Sequence, residues 1–236
     1  MKLNTPDASN RPAPAKTSGL NLTMPVWDIP TRLFHWVLVC LVLLSYVSDR
    51  KGWMRIHVYS GYSVLLLLVF RVIWGLVGSE TARFVSFLKN PVAALQHLAH
   101  FTRREPDTEI GHNAAGGWMV VGMLLLLGAQ VTTGLFANDD GATEGPLVKF
   151  VTKESSDFMS KLHGLNFNLI LAVVAMHVLA VIAYAVVKRH DLIRPMITGK
   201  KRLPAAMRAP AMVNPVLAAG TVVALAAAGA IVLRIL

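Results

Sequence analysis

Lys161 to Arg189 reads KLHGLNFNLILAVVAMHVLAVIAYAVVKR, an apolar run holding two histidines, His163 and His177, fourteen residues apart. In an α-helix fourteen residues rise about 21 Å and return to nearly the same face, offset by roughly 40°. One helix therefore carries two imidazoles on one side, one near each edge of a hydrocarbon core about 30 Å thick. A neutral imidazole is a good iron ligand, and a b-type haem with both axial positions filled by protein needs two. Two partners must come from neighbouring helices, one at each level. His35 and His57 supply them.

The composition agrees with a membrane protein. Of 236 residues 54% are hydrophobic and 15% charged, and mean hydropathy is +0.53. The net charge of +10 could suggest nucleic acid, but no compact basic and aromatic patch accompanies it, so it reads as membrane topology. Cys40 is the single cysteine, and no CxxCH occurs. An intrachain disulfide and a covalently attached c-type haem are both excluded.

Residues 1–26, with Pro6, Pro12, Pro14 and Pro25 and no apolar run, are expected to form a disordered tail. The first apolar run starts near Leu33 without a small-residue cleavage site, so it is not a cleaved signal peptide. Its entry is VWDIPTRLFHW, in which Asp28 can cap a helix and Pro30 suits its first turn. That span runs to about Ser48. The short loop DRKGWMR leads to a second span, His57 to Val77, which must run antiparallel to the first. His57 then faces the opposite membrane edge from His35. Arg71, fourteen residues beyond His57, returns to the level of His35. Intramembrane arginine costs at least about 2.5–3.5 kcal/mol unless it snorkels or meets an anion. A haem propionate would serve as that anion.

Residues 78–111 form the longest loop, with an amphipathic segment at Asn90–Phe101; His97 and His100 there are expected to be solvated. A third span, Gly117 to Phe136, follows GHNAAGG and holds no histidine. His112, at its entry, is a candidate propionate or quinone contact, and Arg32, within VWDIPTRLFHW, is a further candidate cofactor contact. The loop from Ala137 to Leu162 is acidic (Asp139, Asp140, Glu144, Glu154, Asp157) and reads as a docking face. A fifth span, about Met212 to Leu233, is rich in alanine and glycine and should pack on the bundle.

Lysine and arginine near the span ends favour a cytoplasmic N-terminus, the decisive piece being seven basic residues between 188 and 212. His35 and His177 then lie near the cytoplasm, His57 and His163 near the periplasm. A proton or metal transporter would add intramembrane carboxylates, which these spans lack, and zinc prefers three or four ligands. Bis-histidine haem is the better reading.

The stretches VWDIPTRLFHW, His57-x3-Gly61, RVIWGLVGSETARF, GHNAAGGWMVV and LHG…MHV followed by LIRPMITGKK resemble the bacterial membrane b-type cytochromes grouped with the cytochrome b subunit of nickel hydrogenases. The similarity spans about residues 26–202 and implies two non-covalent b haems and quinone-linked electron transfer. Carried over by position, it pairs His35 with His177 and His57 with His163. The expected organisation is an all-α membrane protein: tail 1–26, a four-helix di-haem domain at 27–202, and a linker with a fifth transmembrane helix at 203–236. The expected role is electron relay across a bacterial inner membrane between quinone and a periplasmic redox partner (a hydrogenase, another oxidoreductase or a cytochrome c), with lipid and no nucleic acid as its other surroundings. Alternatives are a quinone-linked redox enzyme acting without a fixed partner, and a haem-free anchor or transporter.

Overall fold

A computed structural model describes residues 21–103, 106–141 and 143–235. In chain order it holds strand β1 (Asn21–Pro25), helices α1 (Ile29–Arg50), α2 (Met54–Val77), α3 (Phe84–Phe87), α4 (Pro91–Ala99), α5 (Ala114–Leu135) and α6 (Lys153–Ala183), a π-helical turn at Tyr184–Lys188, helix α7 (Ile193–Thr198), strand β2 (Lys200–Pro204) and helix α8 (Pro215–Ile235). Among the described residues five helices are long and apolar enough to cross a membrane: α1, α2, α5, α6 with its π-turn, and α8. The face that receives the start of α1 is here called the N-side, and the opposite one the far side.

Caps fix where the spans begin. Asp28 accepts the Thr31 amide at 2.8 Å and Pro30 lies in the first turn of α1, so the helix opens where the expected cap stands. The second carboxylate oxygen of Asp28 accepts the Trp74 indole N–H at 2.9 Å, tying the start of α1 to the end of α2. Asn113 caps α5 by accepting the Gly116 amide at 2.7 Å. Thr152 caps α6, which starts well before the expected Lys161. Once the chain has left the lipid, charged residues such as Glu154 and Asp157 continue a helix as readily as apolar ones.

α2 packs on α1, α5 and α8, and α6 packs along α5. Backbones of α6 and the α1–α2 pair do not run in close contact. Side chains close that interval: Val64, Leu68, Leu127 and Ile170 form one buried cluster midway along it, and Tyr46 stacks on Phe167 at 5.4 Å nearer the far side. Ile170 lies seven residues from His163 and seven from His177, and Val64 seven from His57 and seven from Arg71. The apolar plug therefore falls midway between the two histidine levels on the same helix faces.

The N-side carries a feature the tail expectation did not contain. Residues 21–25 form β1, which pairs antiparallel with β2, Asn21 opposite Pro204 and Pro25 opposite Lys200. The amides of Val26 and Trp27 donate to the Gly199 carbonyl at 2.8 and 3.1 Å, and Gly199 adopts the left-handed φ of 79° that ends α7. Met24, Val26 and Leu203 are buried there together. The tail reading is thus corrected for residues 21–26, whose alternate side chains gain a buried face. Its residues 1–20 lie outside the described residues. α8 lays Ala218 against Phe70, Trp74 and Ala82, outside the four-helix core.

Candidate functional site

On the far side, α2 and α6 bring His57 and His163 face to face, with ring centroids 6.1 Å apart and planes inclined at 76°. His57 Nδ1 lies 2.9 Å from the Ser45 carbonyl, and His163 Nδ1 lies 3.0 Å from the Gln130 carbonyl. A carbonyl only accepts, so Nδ1 carries the proton in both rings and Nε2 is left as a lone-pair donor. This is the tautomer that a metal-ligating histidine needs, fixed in the way such ligands are fixed. Two metal–nitrogen bonds of about 2 Å each plus the two half-rings fill a separation of that size. Among the described residues no group of three or more His, Cys, Asp or Glu comes together. The rings meet as a pair and not as a tetrahedral set.

The residues that hold these rings escaped the sequence reading. Thr133 Oγ1 lies 3.2 Å from His163 Nδ1, Asn166 donates to the Gln130 side chain at 2.8 Å, and a Cβ on Gly134 would stand 3.0 Å from His163 Cε1. The available signal was a run of polar and small residues, Gln130 to Gly134, inside an otherwise apolar span.

On the N-side, His112 before α5 lies within electrostatic range of Arg71 of α2, His177 of α6 and His35 of α1, and His35 lies within range of His177. Arg71 is only 3% exposed, so it does not snorkel to the headgroups. Its guanidinium stacks on Phe84 and Phe87, at 4.9 and 6.0 Å, while Nη1 is buried without a hydrogen-bond partner. Asp28 lies in electrostatic range, so the cation is not wholly without an acid. That acid, however, is already engaged by Thr31 and Trp74. His112 is wedged between Trp27 and Phe87, at ring distances of 4.7 and 4.8 Å. Burial, then Arg71, His177 and His35, push its pKa down to about 3.

The buried Nδ1 atoms of His35 and His112 and Nη1 of Arg71 all lack partners. An orphaned buried donor costs about 1–3 kcal/mol. Arg71 Nη1 is such a donor, and the two ring nitrogens lack a partner in either tautomer, so the cluster fits a group that brings polar atoms of its own. Arg32 is placed differently. Its Nη1 donates to the Ile197 carbonyl at 2.5 Å, clamping α7 to α1, and its Nε is a further buried atom without a partner.

His97 is not solvated as expected, because its Nε2 lies 2.5 Å from the Tyr184 hydroxyl. That hydroxyl also accepts from Asn113 at 2.8 Å. His100 is exposed and bonds the Gln96 carbonyl.

The family model described as "Prokaryotic cytochrome b561" matches residues 26–199. A protein of Rhizobium leguminosarum bv. viciae named "Probable Ni/Fe-hydrogenase B-type cytochrome subunit" is 25% identical over 209 residues, covering 75% of this chain and 87% of its own length. No solved structure gives a significant match.

Proposed function

The chain belongs to the prokaryotic cytochrome b561 family, a membrane b-type cytochrome of electron transfer, and on that premise we propose that it binds two b haems and relays electrons across the membrane. The observation that carries the proposal is the His57–His163 pair, 6.1 Å apart with both Nδ1 atoms committed to carbonyls. His57 and His163 would hold the far-side haem; His35 and His177 would hold the N-side one. Each haem supplies a one-electron ferric/ferrous couple.

The protein supplies the rest. Ser45 and Gln130 orient the far-side rings and raise their basicity. Arg71 offers an unfilled guanidinium donor to a propionate, and His112 closes the slot from the N-side as a neutral ring. The plug of Val64, Leu68, Leu127 and Ile170 keeps water out of the interval between the two levels. Two imidazoles holding each iron would leave no coordination position open to a substrate, which supports electron transfer over chemistry at iron.

We place the N-terminus in the cytoplasm, where basic residues crowd the span ends. The donor or acceptor on the far side is a periplasmic redox protein, with a hydrogenase among the candidates because the Rhizobium relative carries that name. Quinone is the membrane partner, and the di-haem domain is assigned to residues 27–202.

Haem stoichiometry of the purified protein tests the reading. Two haems per chain are expected, both extractable into acidified organic solvent because no cysteine attaches them. A value of zero or one would overturn the two-site arrangement.

A further inference from the structure

Between α2 and α5 the chain runs through α3 and α4 on the N-side. This segment buries Phe87 and Ala94 against the bundle but turns Val85, Leu88, Val92, Leu95 and Leu98 outward, Val85 at 85% and Leu95 at 67% exposure. Within α4 the spacing of Val92, Leu95 and Leu98 puts the three on one helix face, and exposed Val85 and Leu88 extend the apolar surface across the non-helical residues 88–90. Its depth is set by two bonds. His97 of α4 reaches the Tyr184 hydroxyl at the end of α6, and the Trp118 indole of α5 donates to the Lys89 carbonyl at 3.0 Å. α4 is thus held at the level where α5 begins and α6 ends, the edge of the membrane, with a half-exposed tryptophan beside it as interfacial residues stand.

Charge along the same segment has one sign. From Ala82 to Arg104 the sequence contains Arg83, Lys89, Arg103 and Arg104 and neither aspartate nor glutamate. Lys89 keeps half of its side chain exposed, with Glu109 at a loose 3.7 Å, and Arg103 is exposed. Exposed apolar residues flanked by exposed cations, lying along a membrane edge, match the profile of a helix resting in a lipid interface.

The geometry points to α3–α4 as an in-plane anchor that seats its apolar stripe in the N-side leaflet and selects anionic phospholipid through Lys89 and Arg103. A juxtamembrane cation draws anionic lipid by roughly fivefold. The inference rests on the membrane reading alone and stands whether one haem or two are bound.

The test uses the full-length, haem-loaded protein with Cys40→Ser and a fluorophore on Leu95→Cys, reconstituted in phosphatidylcholine–phosphatidylglycerol vesicles. At equal mole fraction, brominated phosphatidylglycerol should quench the label more strongly than brominated phosphatidylcholine. Lys89→Gln with Arg103→Gln should bring the two close to equal, a loss of roughly fivefold per cation. The same label on Val92→Cys serves if the Leu95 variant fails to assemble. Quenching by aqueous iodide but by neither lipid would mean that α4 faces water, quenching by none of the three that a protein covers it, and either would overturn the anchor. Equal quenching by both lipids in the protein with Lys89 and Arg103 intact would overturn the selectivity.

Discussion

The guanidinium of Arg71 lies 4.9 Å from the centroid of the Phe84 ring, and that ring fills the space that a side chain on Gly75 would need, a Cβ there standing within van der Waals overlap of Phe84. Gly75 thereby lets the aromatic ring close over a charge buried one helical turn earlier. The stacking screens one face of the guanidinium and leaves Nη1 without a partner. Arg71→Gln removes a positive charge that favours the reduced, less positive iron. A redox titration should show the N-side haem's midpoint potential falling by on the order of tens of millivolts, with the far-side haem unchanged. Arg71→Lys should be milder but not silent, since lysine lacks the planar fork. An unshifted N-side potential in the Gln variant would refute the propionate contact.

Ligand pairing gives a second expectation. His57→Ala and His163→Ala should abolish the same haem, and His35→Ala and His177→Ala the other, so that difference spectra of the four variants fall into two matched pairs. If His35→Ala shared its signature with His163→Ala, the assignment of levels would be wrong.

Gly134 makes a third, because a Cβ there would come 3.0 Å from His163 Cε1. Gly134→Ala forces the ring to yield by a few tenths of an ångström, and Gly134→Val by more. Overpacking of this kind costs about 1–3 kcal/mol. Faster loss of the far-side haem to apomyoglobin, with the N-side haem retained, is the expected result.

His112 sets a pH dependence. Its folded pKa of about 3 lies below the ordinary histidine value of 6.5, so between those limits the unfolded chain binds a proton that the folded one refuses. Stability from this residue is complete above pH 6.5 and declines as pH falls toward 3, by up to about 1.4 kcal/mol per unit. Thermal unfolding followed between pH 7 and 4 should show a shallower acid slope for His112→Leu. An unchanged slope would mean that the ring is not held neutral.

The sequence paired His57 with His163, which the structure brings face to face, but it did not show the frame around them. His35, His57, His163 and His177 could be sorted by depth because helical rise converts spacing into distance along the membrane normal. Asp28 was readable as a helix opening, since an Asx residue before a proline-containing first turn caps by local geometry; Asn90, whose side chain accepts the Val92 amide, caps α4 by the same geometry. The Arg71 level was legible for the same reason, though its enclosure by Phe84 and Phe87 was not. Tertiary bonds were the hidden part. Nothing local in Asn21–Pro25 announces a strand whose partner is Lys200–Pro204, and nothing in the His97 neighbourhood points to Tyr184. Ser45 and Gln130 act through backbone carbonyls, which every residue possesses, so the only sign of either was the polar stretch from Gln130 to Gly134 in an apolar span.

The pairing of β1 with β2 imposes an order on assembly. β1 is synthesised before its partner, which emerges only after α1, α2, α5 and α6 have all been made. Until then Val26, Trp27 and the strand before them have no Gly199 carbonyl or Leu203 side chain to meet, and His112 lacks the fixed indole that covers it. The N-side contacts of Val26, Trp27 and Leu203 therefore form only after four spans have been made.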